Sequence, residues 1–239
     1  MSIILGHRGL GKGRDENTLL SLIRAIQLGA DGVEIDARLT KDNVIVLSHD
    51  PDLNRTLGLD MEVKETTYRE FKEKGLIHEE RLALLEQVYL ELPDTAIINV
   101  ELKDPEVAEF VVPLVNSFDA LDRTIFSSFI HDCLLTIRNS DLKAKIGLLF
   151  SEHDDAPGFE NRVMERIEKI KPYSVHLPVA YLNKLGRKKA AEFLNTIRRS
   201  KTAVALWTLN DAELFKSFQN LCDIIITDHA EEFSSIRTD

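Results

Sequence analysis

The chain has 239 residues, of which 44% are hydrophobic, and its formal net charge is −10. This composition is typical of a folded globular protein, and the acidic balance argues against a nucleic-acid partner, which needs a basic face. No segment reaches the roughly 20 apolar residues of a membrane span, and the N-terminus shows neither the basic nor the apolar region of a secretion signal. We therefore expect a protein of the cytoplasm without stable membrane association.

Short apolar runs alternate along the chain with longer segments whose apolar residues repeat at a helical period. The predicted strands are residues 3–5, 32–35, 44–47, 97–102, 124–126, 145–149, 174–177, 203–207 and 224–226. The predicted helices are residues 18–28, 82–92, 107–118, 132–139, 162–170, 188–199, 212–218 and 231–236. Because strand and helix alternate, the strands are expected to pair in parallel.

The number of strand and helix units decides between two parallel architectures. If residues 44–47 extend the second strand region, about eight units occupy the chain. That number is typical of an α/β fold of the (β/α)8 TIM-barrel type. A doubly wound open sheet is the alternative, and the count favours the barrel.

One segment interrupts the alternation. Residues 51 to about 80 are polar and charged, contain no clear strand, and are too long for an ordinary connection between a strand and a helix. We interpret them as a small insertion after the second strand, within a single domain that spans residues 1–239. Loops at that end of a barrel lie beside the active site, so the insertion is expected to cover it.

Acidic residues occur at the ends of two predicted strands. Glu34 and Asp36 in "DGVEIDARL", and Glu101 and Lys103 in "NVELK", are each two residues apart, so a strand places each pair on one side. Three carboxylates that close cannot all stay ionised without a compensating charge. Oxygen ligands suit Mg²⁺, Ca²⁺ or Mn²⁺ rather than Zn²⁺. Salt bridges at the barrel rim, with Lys103 or Arg38 as partner, are the alternative, and the whole set favours a metal site.

Two histidines and two cations follow strand ends as well. His7 and His49 titrate near neutral pH, so together they can act as general base and general acid. Arg8 and Lys103 can hold a phosphate, the first with two parallel hydrogen bonds and the second as a point charge. We predict structural roles for the other histidines and solvated positions for two loop cations: His78, His131, His153, His176 and His229, and Lys12 and Arg14.

The motifs as a set resemble those of the glycerophosphodiester phosphodiesterase family. The resemblance is carried by "GHRG", "ENT", "GADGVEIDARLTKDNVIVLSHDPDLNRT" and "VELK" over nearly the first half of the chain, and later by "FSSF", "WTLN" and "ITD". Residues 158–200 give no specific match. Asp15, Ala37 and Leu57 depart from the family's usual residues, but none of them is a candidate catalytic position.

The resemblance implies a TIM-type barrel that hydrolyses glycerophosphodiesters to sn-glycerol 3-phosphate and an alcohol, as part of glycerophospholipid catabolism. It also implies one divalent cation, Mg²⁺ or Ca²⁺, with Mn²⁺ as a further candidate. The residues that it assigns are the metal ligands Glu34, Asp36 and Glu101, the acid–base pair His7 and His49, and the substrate-contacting residues Arg8, Lys103 and Trp207. As a working hypothesis His7 is the base and His49 the acid, although the sequence does not fix that order.

Three other interpretations remain open. The substrate could be a lysophospholipid, although the polar character of residues 61–76 favours soluble substrates. A non-catalytic barrel would normally lack a histidine or carboxylate of the set, and all five are present. A sugar-phosphate isomerase would need a glycine-rich phosphate loop late in the chain, and "WTLND" and "ITDHAEE" offer none. We expect a small-molecule glycerophosphodiester as the partner, and the sequence leaves open whether the chain forms a homo-oligomer.

Overall fold

The structure is a computed structural model that describes residues 2–11, 13–151 and 157–237, apart from the side chain of Arg14. Lys12 and His153 lie outside the described residues, and so does the Arg14 side chain. The roles expected for these three residues therefore stay predictions.

Within the described ranges, eight parallel strands form a closed barrel, and one short strand lies beside it. The strands are β1 (Ile3–His7), β2 (Gly32–Leu39), β3 (Ile45–Leu47), β4 (Ile97–Leu102), β5 (Thr124–Ser128), β6 (Lys145–Leu149), β7 (Ser174–Pro178), β8 (Ala203–Trp207) and β9 (Ile224–Thr227). Strand β3 pairs antiparallel with the end of β2, and β9 closes the barrel on β1. The predicted (β/α)8 TIM-type barrel is confirmed, and the third apolar run extends the second strand region as a hairpin.

Helices surround the barrel. They are α1 (Leu19–Gln27), α2 (Asn54–Leu57), α3 (Tyr68–Glu73), α4 (Leu85–Glu91), α5 (Val107–Ser117), α6 (Cys133–Ser140), α7 (Phe159–Ile170), α8 (Val179–Leu185), α9 (Arg187–Arg199), α10 (Ala212–Phe218) and α11 (Ala230–Arg237). Helix residues such as Leu22, Val111 and Phe233 are fully buried in one cluster with the strands. Among the described helices, none is both long enough and apolar enough to cross a membrane.

The inside of the barrel has its own apolar cluster. Leu5, Ile125, Ala205, Ile224 and Ile226 come from four strands and pack together, separately from the main core. Alternate residues of a barrel strand point inward, so this cluster fills the barrel below the carboxyl ends of its strands. Those ends are therefore left for polar side chains.

The insertion after β3 has a small core. Its buried residues are Val46, Leu53, Val63, Phe71, Leu76, Leu82 and Leu84. Leu84 forms an isolated antiparallel bridge with Val46, and α4 begins only at Leu85. The expected helix start at residue 82 was therefore too early, because Leu82 and Leu84 look helical in sequence but belong to this core.

Candidate active site

The first strand delivers two candidate residues through a tight turn. His7 ends β1, and Arg8 follows with a φ of 51°, in the left-handed region. Gly9 has a φ of 88°, and a Cβ there would lie 2.5 Å from Ser21 Oγ on α1. A Cβ at Gly6 would collide with the carbonyl oxygen of Gly9. The two glycines therefore let the chain turn over α1 and hold His7 and Arg8 at the barrel mouth.

Three carboxylates meet at the same end of the barrel. In the pairing of β2 with β4, Asp36 lies beside Glu101, and Glu34 lies one step deeper beside Asn99. One oxygen from each of Glu34, Asp36 and Glu101 lies within 4.8 Å of the others, and all three residues are buried. Parallel pairing of two strands with the same two-residue spacing produces this cluster.

The carboxylates of this cluster disturb one another. Burial and then the charge of Asp36 raise the pKa of Glu34 to about 8 and also raise the pKa of Glu101. Burial works against ionisation of Asp36 too, but Lys103 and Arg8 outweigh it and lower the pKa of that carboxyl. Asp36 Oδ1 is buried and accepts no hydrogen bond from the described residues. Negative charge is thus undercompensated here, and a divalent cation with oxygen ligands fits that deficit.

His7 is held by a carboxylate from the other end of the chain. Its Nδ1 lies 2.8 Å from Asp228 Oδ1, and its Nε2 lies 4.0 Å from Glu34 Oε2. Asn210 Nδ2 donates to Asp228 Oδ2 at 2.7 Å. Burial opposes a charged imidazole, but the hydrogen bond to Asp228 and the charge of Glu34 outweigh it, so the pKa of His7 is raised. If Nδ1 donates its proton to Asp228, Nε2 is the nitrogen that can exchange a proton with a group in the cavity.

His49 has a similar arrangement with different partners. Its Nδ1 lies 2.7 Å from Asp50 Oδ1, and Arg55 Nε donates to Asp50 Oδ2 at 2.6 Å. Although burial opposes it, the hydrogen bonds from Arg55 and His49 lower the pKa of Asp50 to about 2. Burial and the charge of Lys103 lower the pKa of His49, while Asp36 and Asp50 partly oppose that change.

The two cations predicted to bind phosphate lie against the carboxylates. Lys103 Nζ is 2.7 Å from Glu101 Oε1 and 3.5 Å from Asp36 Oδ1. Arg8 Nε is 3.1 Å from Asp36 Oδ2, and Arg8 Nη1 donates to Glu16 at 3.0 Å. Lys103 therefore forms the salt bridges that the alternative interpretation of these carboxylates named. Arg38, the other candidate for that role, instead pairs with Asp104 at 2.5 Å and donates to the carbonyl oxygen of His49.

A cavity of about 150 Å³ connects these groups. Its lining residues are His7, Arg8, Glu34, His49, Asn99, Glu101, Lys103, Phe129, Leu149, Trp207 and Ile226. The structure therefore brings seven of the eight predicted site residues to one cavity, and Asp36 lies directly behind it against Lys103 and Arg8. The rings of Phe129 and Trp207 meet edge to face at 5.6 Å and form its apolar wall. Trp207 Nε1 is buried and donates no hydrogen bond to the described part of the chain.

The other histidines lie elsewhere. His131 Nε2 lies 2.8 Å from the carbonyl oxygen of Leu149, and His176 is fully buried with Nε2 2.9 Å from Ser174 Oγ. Four histidines of the described ranges do not line the 150 Å³ cavity, namely His78, His131, His176 and His229.

Several residues of the site had no role in the sequence interpretation. They are Glu16, Asp50, Arg55, Asn99, Phe129, Asn210 and Asp228. Six of the seven lie inside motifs quoted for the resemblance, since only Asn99, directly before "VELK", stands outside them. The motifs thus contained the signal, but the partner of each residue became visible only in the fold.

Other proteins resemble this chain in sequence and in fold. The Glycerophosphoryl diester phosphodiesterase family profile matches residues 7–232. A glycerophosphodiester phosphodiesterase of Bacillus altitudinis is 31% identical, over 99% of this chain and 98% of the relative. A solved glycerophosphodiester phosphodiesterase of Thermotoga maritima is 35% identical with a TM-score of 0.84, and the similarity covers 99% of both chains.

A further solved structure shows the same fold at lower identity. It is a phosphodiesterase of Oleispira antarctica in complex with the product sn-glycerol-3-phosphate. It is 24% identical with a TM-score of 0.82, over 99% of this chain and 96% of the other. The barrel and its arrangement of helices are therefore shared across relatives of very different sequence.

Proposed function

The chain belongs to the glycerophosphoryl diester phosphodiesterase family, and on this premise we propose that it hydrolyses glycerophosphodiesters to sn-glycerol 3-phosphate and an alcohol. The observation that carries the proposal is the cavity itself. Two histidines, each paired with a carboxylate, line a cavity of about 150 Å³ beside a buried cluster of three further carboxylates. Glycerophospholipid catabolism is the process in which this reaction belongs.

Glu34, Asp36 and Glu101 would hold a divalent cation. One oxygen from each of the three lies within 4.8 Å of the others, and the raised pKa values of Glu34 and Glu101 indicate that the cluster lacks a compensating positive charge. Oxygen ligands favour Mg²⁺ or Ca²⁺, with Mn²⁺ as a further candidate. When bound, the cation would neutralise charge on the phosphate oxygens and orient the substrate.

Arg8, Lys103 and Trp207 would contact the substrate. The two cations line the cavity beside the carboxylates, where they can meet the negative oxygens of the phosphate as its charge grows in the transition state. Trp207 lines the cavity and offers an apolar face to the glycerol group.

The two histidines would move the protons. One removes the proton from the glycerol hydroxyl beside the phosphate, and the freed oxygen attacks phosphorus. The bond from phosphorus to the alcohol breaks as the other histidine donates a proton to the departing oxygen. Water then opens the cyclic phosphate with the two roles reversed, which yields sn-glycerol 3-phosphate. The working hypothesis keeps His7 as base and His49 as acid in the first step.

A substrate panel tests this function. Wild-type protein is treated with EDTA and assayed for release of sn-glycerol 3-phosphate from glycerophosphocholine, glycerophosphoethanolamine and glycerophosphoglycerol, with and without each metal. We expect release that requires added Mg²⁺, Ca²⁺ or Mn²⁺. Full activity of the metal-free protein would contradict the metal site, and inactivity on every diester would contradict the function.

Metal binding can be measured separately from turnover. Calorimetric titration of Glu101→Gln with each metal should show weaker binding than wild type, because a ligand is lost. Glu109→Gln, which changes an exposed carboxylate on α5, is the matched control and should bind like wild type. Equal affinity of both variants would argue against the proposed ligand set.

Lysophospholipids are a second candidate substrate class, favoured by one observation. A groove of about 1060 Å³ lies between α1 and the insertion and reaches Asp228, the partner of His7. Its half-buried apolar lining residues are Leu10, Leu20, Leu57, Leu59 and Met61. The polar character of the insertion in sequence concealed this apolar lining. Adding lysophosphatidylcholine to the panel, with release of choline as the readout, decides between the two classes.

We further propose that residues 1–239 act as one domain, that the protein acts in the cytoplasm, and that copies of the chain can form a homo-oligomer. The described helices give no membrane span.

A further inference from the structure

One arginine of the insertion reaches two carboxylates at once. Arg55 lies on α2, outside the barrel, and its Nε donates to Asp50 Oδ2 at 2.6 Å. Its Nη1 and Nη2 donate to the two oxygens of Glu16 at 2.8 and 2.5 Å. All of the donor-bearing nitrogens of this guanidinium are thus engaged by two carboxylates, one from the β3 end and one from the loop before α1.

Each of these carboxylates in turn holds a residue of the site. Asp50 lies 2.7 Å from His49 Nδ1, on the oxygen opposite to the one that Arg55 contacts. Glu16 accepts from Arg8 Nη1 at 3.0 Å through the same oxygen that Arg55 Nη2 contacts. Arg55 therefore stands at the start of two chains of contacts, one to an acid–base histidine and one to a cation that lines the cavity.

The chemistry of this position suits arginine. A guanidinium is planar and presents its donors at fixed angles, so it can fix the orientation of two carboxylates, whereas a lysine ammonium acts as one point charge. The Glu16 side chain is only 4% exposed. Without Arg55 it would be a buried carboxylate with Arg8 as its remaining cation, and it would hold Arg8 more tightly.

We propose that Arg55 is a positioning residue for catalysis, which orients His49 through Asp50 and Arg8 through Glu16. The proposal rests on the proposed function of the same cavity. It gives the insertion a role in the reaction, because a residue outside the barrel sets the geometry of two groups inside its mouth.

The insertion has other attachments that do not depend on Arg55. Val63, Phe71 and Leu76 are buried in its own core, and the Leu20 amide of α1 donates to the Glu79 carbonyl at 2.9 Å. Loss of the Arg55 side chain should therefore leave the insertion folded and in place. This separates a positioning role from a purely structural one.

Kinetics of Arg55→Gln, Arg55→Lys and a control provide the first test. The control is Arg69→Gln, which removes an exposed ion pair with Glu73 in the same insertion. We expect Arg55→Gln to lower kcat/KM about 10- to 100-fold, as loss of a group that supports a ligand or catalytic residue typically does. Arg55→Lys keeps the positive charge and should have the melting temperature of wild type, but its kcat should stay as low as that of Arg55→Gln. The kcat/KM of Arg69→Gln should match wild type within twofold.

The two chains can be separated by their carboxylates. Asp50→Asn should lower kcat with little change in KM, Glu16→Gln should mainly raise KM, and Arg55→Gln should do both. Glu16→Gln combined with Arg55→Gln should cost less than the sum of the single losses, because the two residues act through one contact. Kinetic constants of Arg55→Gln that stay within twofold of an active wild type would overturn the proposal, as would full recovery of kcat by Arg55→Lys.

A spectroscopic readout is independent of turnover and of the proposed function. In wild type, the ¹⁵N shifts of the His49 ring should report a proton fixed on Nδ1, and in Arg55→Gln they should move toward a mixture of tautomers. The His7 ring, which contacts neither Asp50 nor Arg55, is the internal control and should not change. Unchanged His49 shifts would overturn the proposal even if no substrate were hydrolysed, whereas inactivity of wild type on the panel counts only against the function.

Discussion

His7 and His49 face one cavity, and each ring places Nδ1 against a carboxylate, yet the two carboxylates come from different parts of the molecule. Asp228 directly follows β9 of the barrel and is held by the neutral amide of Asn210. Asp50 follows β3 and is held by the Arg55 guanidinium of the insertion.

The difference lies in the charges around each ring. The hydrogen bond to Asp228 and the charge of Glu34 outweigh burial and raise the pKa of His7. Burial and the charge of Lys103 lower the pKa of His49, although Asp36 and Asp50 partly oppose that change. Two similar pairs thus give two electrostatic settings. Without a cation they favour a protonated His7 and a neutral His49, which is the reverse of the working hypothesis, so the order of the two roles needs a direct test.

Replacement of His7 or His49 is expected to lower turnover more than replacement of the carboxylate that each ring contacts. His7→Ala and His49→Ala should each lower kcat about 10²- to 10⁴-fold on glycerophosphocholine, since each variant loses one proton transfer. Because the two act in the same step, the double variant should lose much less than the product of the two.

A substrate with a better leaving group would sharpen the comparison. The p-nitrophenyl ester of glycerol 3-phosphate releases a stable anion that needs no proton, so it should restore turnover to the variant that lacks the acid and not to the one that lacks the base. The working hypothesis names His49 as acid. Restoration of His7→Ala instead would reverse the assignment, and restoration of neither would argue against acid catalysis of the departing alcohol.

The partner carboxylates should show a smaller and unequal effect. We expect Asp228→Asn to lower kcat about 100-fold and Asp50→Asn about 10-fold, within the usual range for groups that orient a catalytic residue. Asp228 is the more buried of the two, with 10% of its side chain exposed against 26% for Asp50, so water replaces it less well. Steady-state kinetics measure both, and equal losses would remove the asymmetry between the two histidine environments.

The contrast between the two pairs also marks the limit of sequence prediction here. Strand spacing was enough to place Glu34, Asp36 and Glu101 on one face, because parallel strands in register repeat the same geometry. The partner of His7 lies 221 residues away, and no local pattern connects them. Asp228 stood in a quoted motif, but only the closure of β9 on β1 makes it the partner of His7.

The insertion was harder to predict for another physical reason. Its apolar residues are few, and they pack into a small core rather than along a regular helix face. Leu82 and Leu84 therefore looked like the start of α4, and Arg55 was assigned no role. A barrel follows from repeated units, whereas an irregular segment depends on individual contacts that only the fold supplies.

A third histidine, His176, is buried without a carboxylate partner among the described residues, so it shows how burial alone changes the pKa of a histidine in this protein. We expect its substitution to change stability and not catalysis. His176 is fully buried on β7 with Ser174 as its polar contact, and burial lowers its pKa to about 3. Below pH 6.5 His176 binds a proton in the unfolded chain but stays neutral in the folded state, so the free energy of unfolding decreases as the pH falls toward 3. The slope from this group is at most about 1.4 kcal/mol per pH unit.

His176→Gln should therefore flatten the pH dependence of unfolding free energy between about pH 6 and 4, measured by urea denaturation. The variant should be less stable than wild type at neutral pH, because a well-packed ring is lost next to Gly147, so the slope and not the absolute value is the test. His78→Gln, which alters an exposed histidine of the insertion, should keep the wild-type slope. An unchanged slope in His176→Gln would mean that a buried histidine here finds compensation without a carboxylate. The contrast between Asp228 and Asp50 would then explain less of the difference between His7 and His49.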